Sequence, residues 1–320
     1  MTLRTRLILG GLGMAAYAAT QMSDPRLESW SRGLLVFAAL ILVPLAFGLL
    51  HDEDDPPAVR RGWGFVEGVQ LPTALLLAAA CALPRGPLAG MLTLPWFAFT
   101  LSLATLGFWR IKAGGIRRPL HGLCADVALI FSAVGGAWTL ADRVGFRPLG
   151  FDFAIVGLTA VHFHFAGLLL PLFAGLVQRE FWLSRLASRA AVGVVLGVPA
   201  VAGGISATQL GWGTALEAAA GCGLALAGAA VAILHVRLAI EGGRPDAARG
   251  LLGVAGVSLF FGMVLAALYA MRAYATPFPW LGLPQMRMLH GTLNAVGFGF
   301  CGVLGWRLRQ AGPVRRAAVL

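Results

Sequence analysis

Charged side chains are scarce in this sequence of 320 residues: they make up 12% of it, against 58% hydrophobic residues. Acidic residues number 14, and lysine occurs once, so arginine supplies 24 of the 25 basic side chains. A typical soluble domain carries about 25% charged residues. The composition therefore excludes a soluble domain and indicates a chain that lies mostly within a lipid bilayer.

Several catalytic and binding motifs are also missing. The sequence contains no phosphate-binding loop, no dinucleotide fingerprint after a strand and no His-x-x-x-His box. No Ser-His-Asp arrangement stands out, and no loop is long enough to form a soluble domain. Four cysteines lie inside apolar segments without Cys-x-x-Cys spacing, which predicts buried free thiols and not disulfides or a thiolate metal site. They are Cys81, Cys124, Cys222 and Cys301.

Long hydrophobic segments dominate what is present. A membrane-spanning helix needs about 20 mostly apolar residues, and the sequence predicts ten such segments. They lie near residues 3–20, 33–50, 66–83, 88–109, 120–141, 151–177, 189–210, 214–238, 249–272 and 286–307. The first, which has arginines ahead of it and alanines at its end, also has features of a secretory signal, but we favour an uncleaved span. The predicted fold is an all-α polytopic membrane protein, a single membrane domain of about ten transmembrane helices over residues 1–320.

The net charge of +11 follows the predicted topology. With both termini in the cytoplasm, 18 of the 25 basic residues fall on the inner side and 7 on the outer side. That asymmetry agrees with the positive-inside rule, by which cytoplasmic loops carry an excess of Lys and Arg. We therefore expect the lipid bilayer of a bacterial cytoplasmic (inner) membrane as partner, and no nucleic acid. An oligomer is compatible with the sequence.

A short internal similarity suggests a repeat. Leu120-His121-Gly122 opens the fifth predicted span, and Leu289-His290-Gly291 opens the tenth. Five spans in each half would give the halves opposite orientations, as in the inverted repeats of transporters. We treat residues 1–141 and 151–307 as a candidate weak inverted repeat, although three residues also match often by chance.

Two histidines near the middle of a predicted span, Phe151–Val177, are the most informative polar residues. An ionisable side chain in hydrocarbon costs roughly 2–3 kcal/mol or more. On a regular helix His162 and His164 lie about 200° apart, so they face nearly opposite sides and cannot clamp one ion together. His290 and Asn294, four residues apart in the tenth span, share a helix face. They can meet one of the two histidines if the helices touch.

Other polar groups complete the candidate site. Glu217 lies near the outer end of the eighth predicted span, and Asp126 lies in the inner half of the fifth. The acidic run 52–55 is typical of a solvated turn, with a cation site as the less favoured alternative.

Three functional roles fit this inventory. His162, His164 and His290 are candidate ligands for zinc, iron, copper or haem. The histidines can also relay protons and couple a gradient to substrate movement, or a metal-bound water can act on a lipid-like substrate. The structural alternative is that each histidine only donates a hydrogen bond that holds the bundle together.

Two segments resemble a known family. Leu158-Thr-Ala-Val-His162-Phe-His164-Phe-Ala-Gly167, followed by Pro171, resembles the most distinctive segment of the YndJ-like bacterial membrane proteins. His290-Gly291-x-x-Asn294-Ala295-x-Gly297-Phe298 resembles their second polar segment. The resemblance implies an integral membrane protein, often labelled a transporter, and does not name a substrate. It supports the choice of the three histidines and Asn294.

Together these observations favour a transporter of a small or lipid-like substrate. In this hypothesis His162, His164, His290 and Asn294 line a polar cavity and change protonation during the cycle. The alternative is a metal- or haem-dependent membrane enzyme or redox protein that uses the same histidines as ligands. A structural or assembly protein without chemistry is the third possibility.

Overall fold

The computed structural model describes residues 1–21, 27–52, 54–114, 119–241, 246–275 and 278–311. This part of the chain is helical apart from short connections and contains no β-strand. Its α-helices are α1 Leu3–Gln21, α2 Leu27–Phe37, α3 Val43–Leu50, α4 Pro57–Ala82, α5 Pro87–Gly114, α6 Leu120–Val144, α7 Phe153–His162, α8 Leu169–Glu180, α9 Arg185–Gln209, α10 Ala215–Ile240, α11 Ala247–Ala270, α12 Leu283–Thr292 and α13 Cys301–Ala311.

Three of the long helices contain a π-helical segment. We name these segments π1 (Ala38–Leu42), which joins α2 to α3, π2 (Phe163–Gly167), which joins α7 to α8, and π3 (Leu293–Phe300), which joins α12 to α13. π3 contacts both π1 and π2. The three departures from α-helical geometry therefore meet in one region of the bundle.

Nine helical stretches among the described residues are long and apolar enough to cross a membrane, which confirms the predicted polytopic all-α fold. The predicted first span forms α1 but is not one of the nine, because its two arginines and many small residues leave it weakly apolar. The stretches are Glu28–Leu50, Pro57–Ala82, Pro87–Gly114, Leu120–Val144, Phe153–Glu180, Arg185–Gln209, Ala215–Ile240, Ala247–Ala273 and Leu283–Ala311.

The Glu28–Leu50 span is the central helix of the bundle. Of its most apolar window, 78% is buried inside the protein, against 33–50% for the other eight spans. Its outer part, α2, packs against α7 and α12, and its inner part, α3, packs against α8 and α13. The remaining helices surround it mainly as sequential pairs, of which α5 with α6 and α10 with α11 are the most extensive.

Some predicted features fall outside the described residues. They include Glu53 of the acidic run and six of the topology arginines, Arg26, Arg117, Arg118, Arg244, Arg315 and Arg316. The candidate repeat stays a prediction: Leu120-His121-Gly122 begins α6, whereas Leu289-His290-Gly291 lies inside α12. The four cysteines are free thiols; Cys81 and Cys124 are buried, as predicted, whereas Cys222 and Cys301 are half-buried.

Candidate functional site

α7 and α12 bring two histidines together. His162 is the last residue of α7, and His290 lies three residues before π3. Their imidazole rings are nearly parallel, at 8°, with centroids 6.2 Å apart. Nδ1 of His290 donates to the Gly262 carbonyl at 2.9 Å, which leaves Nε2 as its acceptor. His162 is exposed and His290 is half-buried, so the pair can be reached from outside the packed core.

Asn294 supports the backbone of His290. Its Nδ2 donates to the His290 carbonyl at 2.8 Å, which also accepts the backbone N–H of Leu293 at the start of π3. The amide also lies against Gly262 of α11, where a Cβ would come within 2.6 Å of Nδ2. Asn294 therefore depends on the absence of a side chain at Gly262, whereas His290 uses only the backbone carbonyl of that residue.

His164 is separated from this pair. Its side chain is 2% exposed, its Nδ1 donates to the Ala160 carbonyl at 2.7 Å, and its Nε2 accepts from Trp96 Nε1 at 3.1 Å. Both ring nitrogens are thus used, and the two bonds fix one neutral tautomer. The helical spacing predicted that His162 and His164 face different partners, but the sequence did not indicate Trp96.

His235 repeats this arrangement elsewhere in the bundle. Its Nδ1 donates to the Val231 carbonyl at 2.9 Å, and its Nε2 accepts from Trp306 Nε1 at 3.1 Å. The imidazole is fully buried between α10 and α13. Two of the intramembrane histidines therefore hold helices together through an indole donor.

We expect Trp96→Phe to lower the free energy of unfolding by about 1–3 kcal/mol, because it leaves the buried Nε2 of His164 without a donor. Unfolding in mixed micelles measures this change. The matched control is Trp109→Phe on the same helix, whose side chain is 48% exposed and should tolerate the replacement. Equal losses in the two variants would contradict the structural role of the Trp96–His164 bond.

Only two of the three predicted metal ligands, His162 and His290, meet at this site. Among the residues that the structure describes, no group of three or more His, Cys, Asp or Glu side chains lies close enough together to hold a metal ion. His162 and His290 are adjacent, whereas His164 engages both of its ring nitrogens elsewhere. The predicted set of three histidines is thus not brought together.

Glu217 forms an ion pair at the outer end of the bundle. Its Oε1 accepts from Arg272 Nη2 at 2.7 Å and joins the beginning of α10 to the turn after α11. Arg272 neutralises the Glu217 carboxylate, so this side chain needs no bound ligand to balance its charge. Glu217 makes none of the contacts of the His162–His290 pair that the structure describes.

Asp126 belongs to a buried ion cluster at the inner end. Its Oδ1 lies 3.7 Å from Nη1 of Arg110, which also makes two hydrogen bonds to Asp55, one of them 2.6 Å long. Trp63 Nε1 donates to the same Asp55 carboxylate at 3.2 Å. The solvated-turn prediction for the acidic run is therefore wrong for Asp55, which is 2% exposed, because Arg110 draws it into the bundle.

His51 lies just outside the spans, beside this inner cluster. Its Nε2 is 3.2 Å from Oε1 of Glu67, and its ring packs on Trp63 with centroids 4.4 Å apart. Partial burial lowers the pKa of His51, although the Glu67 carboxylate acts in the opposite direction. His51 is therefore mainly neutral at physiological pH and serves as a packing and hydrogen-bonding residue.

A small cleft opens at the outer end of the bundle, mainly between α2, α7 and α12. Leu158 in its wall precedes His162 by four residues, and Arg287 precedes His290 by three, so each histidine lies about one turn deeper on the same helix side. Its lining residues are Glu28, Ser31, Arg32, Leu35, Arg85, Asp142, Phe153, Ala154, Gly157, Leu158, Ala160, Val161 and Arg287.

Comparison with known proteins gives one family and one curated relative. The family described as "YndJ-like protein" matches residues 33–298. The relative, "Uncharacterized membrane protein YndJ" of Bacillus subtilis (strain 168), is 25% identical over 307 residues, which cover 96% of this chain and 53% of the relative. The chain thus spans about half the length of that relative. No solved structure matches.

Proposed function

This chain belongs to the YndJ-like family of multi-pass membrane proteins, and from the geometry of its site we propose that it is a transporter. Its substrate is a small or lipid-like molecule, and it works in the bacterial cytoplasmic membrane. His162 and His290 are the polar groups that the substrate or a coupled proton meets within the bilayer. Asn294 holds the backbone of His290 in place.

The observation that supports this proposal is the meeting of two histidines where two spans with π-helical segments touch. π-helical segments inside α-helices occur frequently at functional sites. In secondary transporters, substrate and ion sites lie near the bilayer midplane beside interrupted helices. His162 immediately precedes π2, His290 lies just before π3, and π2 contacts π3.

The depth of the pair fits this role. His162 lies nine positions after Phe153, where α7 begins, and at 1.5 Å per residue this distance is about 14 Å. If the hydrocarbon core, about 30 Å thick, begins near Phe153, the pair lies close to its middle. The outer cleft lies about one helical turn from the pair, on the same sides of α7 and α12.

Transport can be tested before the substrate is identified. Proteoliposomes are incubated with aqueous and lipid extracts of a host bacterium, and mass spectrometry then identifies compounds sealed in the lumen or protected in the inner leaflet. We expect wild-type protein to enrich at least one compound about tenfold over protein-free liposomes. His162→Ala/His290→Ala should lose this enrichment, because the variant lacks both imidazoles that the substrate or a coupled proton meets.

The matched control is Leu289→Ala, which truncates an exposed side chain next to His290 and should transport like the wild type. All three proteins must elute as single species of the same size in detergent. Identical contents in wild-type, double-variant and protein-free liposomes would overturn the proposal. Equal enrichment by wild type and double variant would leave a transporter but exclude the histidine pair from its path.

A further inference from the structure

We propose that the outer cleft binds the anionic headgroup, a phosphate or a carboxylate, of an amphiphilic molecule whose hydrocarbon part lies against α7. This inference rests on the proposed function, because it names the substrate class that enters the path toward His162 and His290. It concerns arginines whose positions in the sequence indicate only the topology of the chain.

Three arginines from three separate elements reach the cleft. Arg32 comes from α2, Arg85 from the connection between α4 and α5, and Arg287 from α12. The two carboxylates in the lining are Glu28 and Asp142. The lining thus carries three positive charges and two negative charges, and an anion would balance the excess.

The two carboxylates are already engaged by two of the arginines. Oε2 of Glu28 lies 3.2 Å from Nη2 of Arg32 and 3.3 Å from Nη2 of Arg85. Oδ1 of Asp142 lies 3.0 Å from Nε of Arg85. These bonds hold Arg32 and Arg85 at the wall of the cleft and leave Arg287 as the cation without a short carboxylate contact.

Arg287 is the residue that points most directly to a ligand. Within the described parts of the chain it forms no ion pair, and its buried Nε has no hydrogen-bond partner. An unsatisfied buried donor is unfavourable, and a guanidinium matches phosphate and carboxylate oxygens through two parallel N–H bonds. A ligand oxygen in the cleft would bind the two outer nitrogens of this guanidinium, which are not enclosed as Nε is.

The rest of the lining is apolar, which favours an amphiphile over a free anion. Leu35, Leu158 and Val161 supply apolar wall, and the Phe153 ring packs against the Arg85 guanidinium with 4.6 Å between its centroid and Cζ. The enclosed space of the cleft is about 20 Å³, room for about one water-sized group, so only headgroup oxygens enter it and the rest of the amphiphile lies outside, against α7. The cleft thus has charged side chains at its outer rim and apolar side chains one to two helical turns deeper. This order matches an amphiphile, whose charged headgroup lies at the membrane surface and whose hydrocarbon lies deeper.

The test measures equilibrium binding to the full chain in a neutral maltoside detergent by native mass spectrometry. The probes are dioleoyl phosphatidic acid and oleate as anionic amphiphiles, and dioleoyl phosphatidylcholine as the amphiphile without net charge. Inorganic phosphate and acetate are the free anions. We expect one molecule of an anionic amphiphile per chain, and weaker binding of phosphatidylcholine. The free anions at millimolar concentration should not displace the amphiphile.

Arg287→Gln should weaken binding of the anionic probe about tenfold, because it removes the charge and the bidentate donor. The matched control is Arg272→Gln, which makes the same replacement at the outer end but in the ion pair with Glu217, and it should bind like the wild type. Because Arg287 has no ion pair among the described residues, its replacement should not affect folding, and thermal unfolding checks this.

The outcomes separate this inference from the proposed function. Equal affinities of wild type and Arg287→Gln would overturn the cleft as the anion site, and displacement by phosphate or acetate alone would overturn the amphiphile. His162→Ala/His290→Ala should still bind the anionic probe, since binding needs no transport. If the double variant loses transport but still binds the probe, both the transporter proposal and the cleft proposal are supported. If the wild type binds the probe but transports nothing, only the transporter proposal is overturned.

Discussion

Replacing Arg110 by methionine should lower the free energy of unfolding by about 3–5 kcal/mol, because removing one partner of a buried ion pair leaves an uncompensated buried charge. The guanidinium of Arg110 makes two hydrogen bonds to Asp55 and lies 3.7 Å from Asp126. All three side chains are almost completely buried. Methionine fills much of the volume of the arginine side chain but carries no charge. The Asp55 carboxylate then keeps only uncharged donors, such as the Trp63 indole.

Reversible unfolding in mixed micelles measures this loss. The matched control is Arg237→Met, which breaks a helix-surface pair with Glu241 whose side chains are 45% and 52% exposed. Exposed ion pairs contribute about 0–1 kcal/mol, so this variant should stay close to the wild type. If both variants lose the same free energy, the inner ion cluster is not a stabilising element of the fold.

Gly204→Leu should have the second largest effect after Arg110→Met. It should lower the free energy of unfolding by an amount at or above the upper end of the roughly 1–3 kcal/mol typical of overpacking. A Cβ at this position would come within 2.8 Å of Cα and 2.9 Å of N of Glu217, and within 2.9 Å of the Leu216 carbonyl oxygen. These are backbone atoms of α10, which cannot rotate away as a side chain can. The larger residue must therefore push α9 and α10 apart.

The neighbouring glycine provides the control. Gly203 is exposed, and a Cβ there meets nothing within 4 Å. Gly203→Leu should therefore be neutral or stabilising by up to about 1 kcal/mol, because leucine has the higher helix propensity. Thermal unfolding and yield of monodisperse protein in detergent compare the two variants, and a similar loss in both would show that α9 and α10 do not approach closely at Gly204.

The sequence predicted the spans because their signal is local. In hydrocarbon every backbone donor and acceptor must be satisfied within the helix itself, so a long apolar segment can be interpreted independently of its neighbours. The nine candidate spans among the described residues correspond to the second through tenth predicted segments. Only the first segment differs, since its arginines and small residues make it a weakly apolar helix.

The candidate site was predictable only in part. Helical periodicity indicates that His162 and His164 face different sides, and that His290 and Asn294 share one. It does not indicate the π-helical segments beside them, because a π-helical segment inserts one residue into a turn and leaves no compositional pattern. Nor does it identify Arg287, whose position in α12 resembles that of any arginine near a membrane surface.

The sequence by itself determined the fold class, the positions of nine spans, the charge asymmetry and the identity of the polar residues inside the membrane. Only the tertiary structure decided the partners of those residues. Trp96 is 68 residues from His164, Arg110 is 55 residues from Asp55, and Trp306 is 71 residues from His235. The physical reason is that the bilayer selects apolar segments one at a time, whereas buried imidazoles, guanidinium groups and carboxylates are stabilised by whichever donors and acceptors the packing of distant helices brings to them.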